Sequence, residues 1–113
     1  MDCLFYSIIK GEIPSTKVYE DEQVYAFKDI NTMAPVHVLI NPKTHLSSIN
    51  DVTEENSAVI AHIYAVAAKL AKELGISESG YRVVSNCGAD AGQTVFHLHF
   101  HLLGGKKLNV EMG

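Results

Sequence analysis

The segment His97-Leu98-His99-Phe100-His101-Leu102-Leu103 alternates between histidines and apolar residues. In a β-strand, successive side chains point to opposite faces of the sheet, so the three imidazoles would share one face. The opposite face would carry Leu98, Phe100 and Leu102 and pack on the core. The alternation therefore predicts a strand from Val95 to Leu103, with one buried apolar face and one histidine face.

Three histidines on one strand face allow three interpretations. As buried structural residues, each would need partners for two ring nitrogens, which disfavours a purely structural role. As ligands to one zinc ion they are poorly spaced, because the Cα atoms of the outer pair lie roughly 13 Å apart. A neutral imidazole, in contrast, is a competent nucleophile that titrates near neutrality. We therefore favour a reactive central imidazole, His99, flanked by His97 and His101.

The loop before this strand reads Asn86-Cys87-Gly88-Ala89-Asp90-Ala91-Gly92-Gln93-Thr94 and combines glycines with hydrogen-bonding side chains. Glycine lets backbone N–H groups approach an anion closely. Gln93 and Thr94 add side-chain donors directly before the histidines. Such a loop alone is equally typical of an ordinary turn. Beside the histidines, it predicts a phosphoryl-transfer site, in which positioning and charge stabilisation dominate.

The rest of the chain predicts an α+β domain. Apolar residues at three- and four-residue steps indicate a long helix from about Thr53 to Leu74. Asp51 or Thr53 can cap its start, and Gly75 ends it. The other predicted elements are a short helix from Asp2 to Gly11, a hairpin with strands at 18–19 and 24–27, and strands at 36–40 and 81–85. Short turns between most strands favour an antiparallel sheet.

Composition limits the classes of function. The chain has 113 residues, of which 47% are hydrophobic, and a formal net charge of −4, which suits a single domain over residues 1–113. Its basic residues are scattered, so we expect no nucleic-acid partner. Its apolar stretches are far shorter than the roughly 20 residues of a membrane span, and its N-terminus does not resemble a signal peptide. We therefore expect a cytoplasmic protein with no membrane partner.

Longer motifs resemble a known family. The segment Gly92-Gln93-Thr94-Val95-Phe96-His97-Leu98-His99-Phe100-His101-Leu102-Leu103-Gly104-Gly105 is similar to the signature of the histidine triad (HIT) family, in which three histidines alternate with apolar residues. Its closing glycine pair resembles the Hint branch, the purine nucleoside phosphoramidases, more than the dinucleoside polyphosphate hydrolases. Residues 5–14, 26–30, 35–37 and 42–45 also match landmarks of that branch. The resemblance implies a five-stranded antiparallel sheet with one long and one short helix, paired as a homodimer.

The resemblance also implies roles for individual residues. His99 would attack the α-phosphorus and carry a transient nucleotidyl group, and His101 would lie beside the same phosphate and help the leaving group depart. His97 and His37 would form a supporting relay that fixes the tautomer of His99. The nucleotide would be bound by Asp29 at the ribose and by Leu4, Phe5, Ile8, Phe27 and Ile30 around the purine. At the phosphate it would be bound by Asn86, by the backbone of Gly92, Gln93, Thr94 and Val95, and by the Thr94 hydroxyl, which could instead donate to the departing amine.

The implied reaction is hydrolysis of the P–N bond in purine nucleoside phosphoramidates, which are AMP or GMP derivatives such as AMP joined to an amine or a lysine. Two alternatives stay open: dinucleoside polyphosphate hydrolysis, and a nucleotide-binding interaction module with weak catalysis. A third is a structural zinc site, for which many bacterial relatives use Cys-x-x-Cys and two histidines. Here Tyr6 replaces the second cysteine and leaves Cys3, His45 and His97, whereas a structural site usually closes with four ligands. We therefore expect no required cofactor and assign no metal ligand.

Overall fold

The computed structural model describes residues 4–30 and 32–111. Within these residues the chain forms a five-stranded antiparallel sheet and two α-helices, which confirms the predicted α+β class. In chain order the elements are α1 (Leu4–Ile9), β1 (Lys17–Glu20), β2 (Val24–Lys28), β3 (Val36–Pro42), α2 (Ala58–Glu73), β4 (Tyr81–Val84) and β5 (Phe100–Gly104). Their order in the sheet is β1-β2-β3-β5-β4. Asp2, the predicted cap of α1, lies outside the described residues.

The long helix α2 covers one face of the sheet and builds the main core there. Side chains alternate along each strand, so Phe100 and Leu102 of β5 point toward this core while His101 lies on the opposite face. The buried residues of the core are Val24, Ala26, Val38, Ile40, Ile63, Val66, Ala67, Leu70, Ala71, Ile76, Leu98, Phe100 and Leu102. Neither helix in the described part of the chain has the length and apolar composition that a membrane span requires.

The short helix α1 covers part of the opposite face. Its Phe5 and Ile8 pack against Phe27 of β2 and Leu39 of β3 in a second, smaller cluster. In the register between β3 and β5, Leu39 lies opposite His101. The fold therefore places a histidine directly beside the apolar side chains under α1.

α2 begins at Ala58, later than the predicted start at Thr53. The polar residues before it form turns with their own hydrogen bonds. The carboxylate of Asp51 accepts a backbone N–H from the preceding loop at 2.7 Å, and the Thr53 N–H donates to Oδ1 of Asn56 at 2.7 Å. The helix therefore starts after these turns, and Ser57 occupies the N-cap position instead of Asp51 or Thr53. Gly75, with a φ of 77°, follows the end of the helix as predicted.

β5 begins at Phe100, whereas the sequence predicts a strand from Val95. Its pairing with β3 ends opposite Ile40, since Pro42 at the end of β3 has no N–H for a ladder bond. The chain before β5 turns to another partner: Leu98 donates its N–H to a carbonyl oxygen in the loop after β3 at 2.6 Å. The first two histidines of the row therefore precede the strand instead of belonging to it.

Candidate active site

A cavity of about 790 Å³ opens beside α1 and the histidines, and its volume lies in the range of small-molecule sites. Its walls come from α1, the connector after α1, the end of β2 and the loop between β4 and β5. Every residue that the sequence predicts to bind the nucleotide lines it: Leu4, Phe5, Ile8, Phe27, Asp29, Ile30, Asn86, Gly92, Gln93, Thr94 and Val95. His99 and His101 line it as well, whereas His37 and His97 are not among the lining residues.

The tautomer of His99 is set by a backbone carbonyl. Nδ1 of His99 donates to the carbonyl oxygen of His97 at 2.7 Å, so the neutral ring carries its lone pair on Nε2. Burial lowers the pKa of His99, against smaller opposing effects of this hydrogen bond and of Asp29. The ring packs edge to face on Phe5, with centroids 4.7 Å apart. His99 is therefore a neutral ring at pH 7 whose nucleophilic nitrogen is available to the cavity.

His101 belongs to a second chain of hydrogen bonds. The backbone N–H of Met33 donates to Nδ1 of His37 at 3.1 Å, so a neutral His37 carries its proton on Nε2. That Nε2 lies 2.9 Å from Nδ1 of His101, which then accepts and leaves the proton of His101 on its own Nε2. Burial, with His99 and His37 close by, lowers the pKa of His101 to about 4. His101 is therefore a neutral ring that can offer an N–H to a ligand in the cavity.

Asp29, His37 and His101 bring atoms of metal-ligand type within 4.8 Å of one another. Oδ2 of Asp29 lies 3.3 Å from Nε2 of His37. A metal ion at this point would need the lone pair of that Nε2, whereas the Met33 N–H at Nδ1 places a proton there. The hydrogen bonds of this group therefore suit a proton between the rings better than a metal ion.

The side chain of His97 is fully buried and has partners other than His99. Its Nε2 donates to the last carbonyl oxygen of β3 at 2.8 Å, and its Nδ1 lies 3.0 Å from Nδ1 of His45. The expected relay from the side chains of His37 and His97 to His99 does not form. His97 contributes its backbone carbonyl instead, and His37 pairs with His101. Burial lowers the pKa of His97. The neutral His97 ring is anchored by its own hydrogen bonds, and it thereby holds the His97 backbone carbonyl in place for His99.

His45 and His97 are also two of the three residues considered as zinc ligands, and the third, Cys3, lies outside the described residues. The Tyr6 ring, where the zinc-binding pattern has its second cysteine, packs beside His45 with centroids 6.4 Å apart. Two Nδ1 atoms 3.0 Å apart are close enough to share a proton and also to bind one ion. The zinc site stays the open alternative that the sequence left, and the expectation of no metal ligand stays a prediction.

The glycine-rich loop is held together by Gln93. Its glycines before and after a short 3-10 turn have φ values of 84° and 83°, a region that favours glycine. Gln93 is 6% exposed: its Oε1 accepts the Gly88 N–H at 2.8 Å, and its Nε2 donates to the carbonyl oxygens of Ser47 at 2.8 Å and Val95 at 3.1 Å. Both amide hydrogens are therefore used within the protein, and Gln93 is not the phosphate donor that the sequence predicts. Thr94 is exposed at the cavity.

Apolar side chains form the part of the cavity under α1. Phe5 and Phe27 pack edge to face with centroids 5.5 Å apart, and both are buried, so they serve the core and the cavity together. Ile30 is 93% exposed at the cavity. The lining residues that the sequence did not indicate are Ile13, Pro14, Ser15, Thr16, Lys28 and Leu39. For the residues of the connector, the sequence signal was Ile13, an isolated apolar residue among polar ones.

The chain is similar to proteins of one family along most of its length. It matches the HIT domain over residues 10–108. It is 45% identical over 107 residues to the purine nucleoside phosphoramidase of Escherichia coli strain K12, covering 95% of this chain and 90% of that protein. A HIT family hydrolase from Clostridium thermocellum is 53% identical with a TM-score of 0.95, over 98% of this chain and 96% of that one. A histidine triad protein from Clostridium difficile is 51% identical with a TM-score of 0.96, over 99% and 97%.

Proposed function

The chain belongs to the HIT domain family, and we propose that it is a histidine triad hydrolase that cleaves the P–N bond of purine nucleoside phosphoramidates. The observation that carries this proposal is the state of His99: a neutral ring with its proton on Nδ1 and its lone pair at the wall of a cavity of about 790 Å³. The Escherichia coli relative, named as a purine nucleoside phosphoramidase, supports this class of substrate.

In the first step, Nε2 of His99 forms a bond to the α-phosphorus while the P–N bond breaks. The amine leaves with the bonding electron pair and takes up one proton from solvent water. Nε2–H of His101 and the backbone N–H groups of Thr94 and Val95, at the end of the loop that lines the cavity, would donate to the phosphate oxygens, where negative charge increases in the transition state. The N–H groups of Gly92 and Gln93 donate within the loop itself. The product of this step is a covalent nucleotidyl-His99.

In the second step, water attacks the same phosphorus and the bond from phosphorus to Nε2 breaks. The electron pair returns to His99, and the proton lost by water balances the proton that the amine took up. The products are the nucleoside monophosphate and the free amine. The nucleophile returns to its starting tautomer because Nδ1 keeps its proton throughout and donates it in a hydrogen bond to the carbonyl oxygen of His97.

The cavity has separate regions for the parts of a nucleotide. A flat purine fits the apolar region between Phe5, Phe27 and Ile30. Asp29 borders this region, and its carboxylate would accept hydrogen bonds from the ribose hydroxyls. Thr94 lies at the cavity beside the histidines, where its hydroxyl would donate to the phosphate or to the departing amine.

Replacing His99 tests the proposed nucleophile. His99→Asn and His99→Ala are expected to lower kcat for an AMP-amine substrate at least about 10³-fold, while AMP affinity measured by calorimetry stays within a few-fold. His62→Asn is the matched control, because His62 lies on α2, across the sheet from the cavity, and this variant is expected to keep wild-type kcat. Undiminished turnover in both His99 variants would disprove the role of His99.

Two further measurements define the reaction. Brief mixing with labelled substrate, followed by rapid denaturation and peptide mapping, is expected to show a nucleotidyl group on His99. Comparing kcat/KM for AMP-amines and for diadenosine polyphosphates separates the proposed activity from dinucleoside polyphosphate hydrolysis. A higher kcat/KM for the dinucleotides would overturn the proposed substrate class.

We further propose that the chain forms a homodimer. β4 lies at one edge of the sheet, so its outer N–H and C=O groups can pair with another strand. Tyr81 on this strand is 39% exposed and Tyr64 on α2 is 51% exposed, and a second copy would bury both rings. Sedimentation equilibrium is expected to give twice the monomer mass, and a monomer at micromolar concentration would refute the proposal.

A further inference from the structure

We propose that the backbone N–H of Met33 is a positioning group that fixes the protons of His37 and His101. In this arrangement His101 is a neutral hydrogen-bond donor to the substrate's phosphate, and it does not give its proton to the leaving group. The catalytic half of this inference rests on the proposed function, whereas the proton arrangement is a property of the ligand-free protein.

The contact at Met33 is made by its backbone and not by its side chain. The side chain is 70% exposed, while the N–H donates to Nδ1 of His37 at 3.1 Å. The loop that carries Met33 is closed at its base, because the Asp29 N–H donates to the His37 carbonyl oxygen at 3.0 Å. His37 itself is 5% exposed, so its nitrogens are largely shielded from water.

The Met33 N–H is the first donor in this series of hydrogen bonds, and it determines which nitrogen of each later ring carries the proton. With the Met33 N–H on Nδ1, a neutral His37 has its only proton on Nε2, between Nδ1 of His101 at 2.9 Å and Oδ2 of Asp29 at 3.3 Å. His101 must then accept at Nδ1 and carry its proton on Nε2. The opposite tautomer of His37 would set two N–H groups against each other at Met33.

The same contacts disfavour a second proton on His101. A charged His101 would carry N–H on both nitrogens, and its Nδ1–H would then face the Nε2–H of His37 at 2.9 Å. A general acid must gain and lose a proton in each turnover, and a proton added at Nδ1 of His101 would meet the proton on Nε2 of His37 instead of a lone pair. A hydrogen bond from Nε2 to a phosphate oxygen requires no such change and acts equally on all leaving groups.

A pair of variants at position 33 tests the proton arrangement. Met33→Pro removes the N–H, and Met33→Ala keeps it while removing the exposed side chain. In ¹⁵N-histidine spectra of the ligand-free protein, the wild type and Met33→Ala are expected to show His37 and His101 protonated at Nε2. Met33→Pro is expected to show a mixture of tautomers at both rings. Unchanged tautomers in Met33→Pro, or Nδ1 protonation of His101 in the wild type, would overturn the inference.

Kinetics with two leaving groups test the consequence for catalysis. Met33→Pro is expected to slow release of AMP about 10–100-fold, by the same factor for an AMP-amine and for the 4-nitrophenyl ester of AMP, whose phenolate leaves without a proton. Met33→Ala is expected to stay within about twofold of the wild type. A loss confined to the amine substrate would show that His101 acts as a general acid and would refute the inference.

An ester-for-amide replacement at Met33 removes the N–H without imposing the proline ring, and it decides the question if Met33→Pro does not fold. The spectra are recorded without substrate, so they report on the inference alone. If the wild type releases no AMP from either substrate, the proposed function fails and the tautomers still decide the positioning role of Met33.

Discussion

Gln93→Leu removes the three hydrogen bonds that hold the glycine-rich loop and keeps a side chain of similar size. The structure assigns Gln93 a partner at Gly88 and two carbonyl partners at Ser47 and Val95. Hydrogen bonds of this kind contribute about 1 kcal/mol each to stability, so the variant is expected to lose about 3 kcal/mol. With a urea slope near 2 kcal/mol/M, typical of small proteins, the unfolding midpoint falls by about 1.5 M.

The assay is urea unfolding followed by circular dichroism, with AMP affinity measured in parallel under native conditions. Gln23→Leu is the matched control, since Gln23 is exposed at the β1–β2 turn and its loss is expected to change stability by less than about 0.5 kcal/mol. If Gln93→Leu kept the wild-type midpoint while AMP affinity fell, Gln93 would be a ligand contact and the loop-holding role would be wrong.

Three further predictions concern packing and titration. Gly104→Ala places a Cβ 2.7 Å from Cδ1 of Ile76, so thermal unfolding is expected to show a loss of about 1–3 kcal/mol, partly recovered by also introducing Ile76→Val. Burial lowers the pKa of His101 to about 4 and also lowers that of His99. The acid limb of kcat/KM is therefore expected below the ordinary histidine pKa of about 6.5, and a limb at or above that pH would contradict neutral rings. Burial opposes ionisation of Asp21, but hydrogen bonds from the His62 side chain on α2 and from the backbone hold the pKa of Asp21 well below its ordinary value. The carboxylate therefore stabilises the fold above about pH 4, and this stabilisation is lost as pH falls. The urea midpoints at pH 7 and pH 3 are expected to differ less in Asp21→Asn than in the wild type. An equal difference in the two proteins would refute this role of Asp21.

The local sequence pattern predicted the structure correctly where a residue's position depends only on its neighbours in the sequence. Period-two alternation correctly predicted that Phe100 and Leu102 face the core and that His101 does not, because strand geometry alone determines this. The hairpin, the strand at β3 and the helix end at Gly75 follow from equally local signals. The start of α2 was missed because Asp51 has two local uses, helix cap or turn acceptor, and the turn prevailed.

Many of the residues that line the cavity could also be predicted from the sequence through the family resemblance, which covers residues 5–14 and 26–30 as well as the motif from Gly92 to Gly105. The hydrogen-bond partners of these residues could not be predicted in the same way. Gln93 was expected to donate to phosphate because it precedes the histidines, yet its amide is directed to Ser47 and Val95. An amide has several hydrogen-bonding options, and only the packed loop selects among them.

By itself, the sequence determined the fold class, the face of the sheet that carries His101 and most of the residues around the cavity. The tertiary structure decided where the protons lie. The ring partners that place them come from far along the chain: His37 is 64 residues from His101, and His45 is 52 residues from His97. An imidazole has two nearly equivalent tautomers, and its neighbours in space choose between them. The chemistry of three similar histidines is therefore a property of the folded chain, because each ring meets a different donor or acceptor.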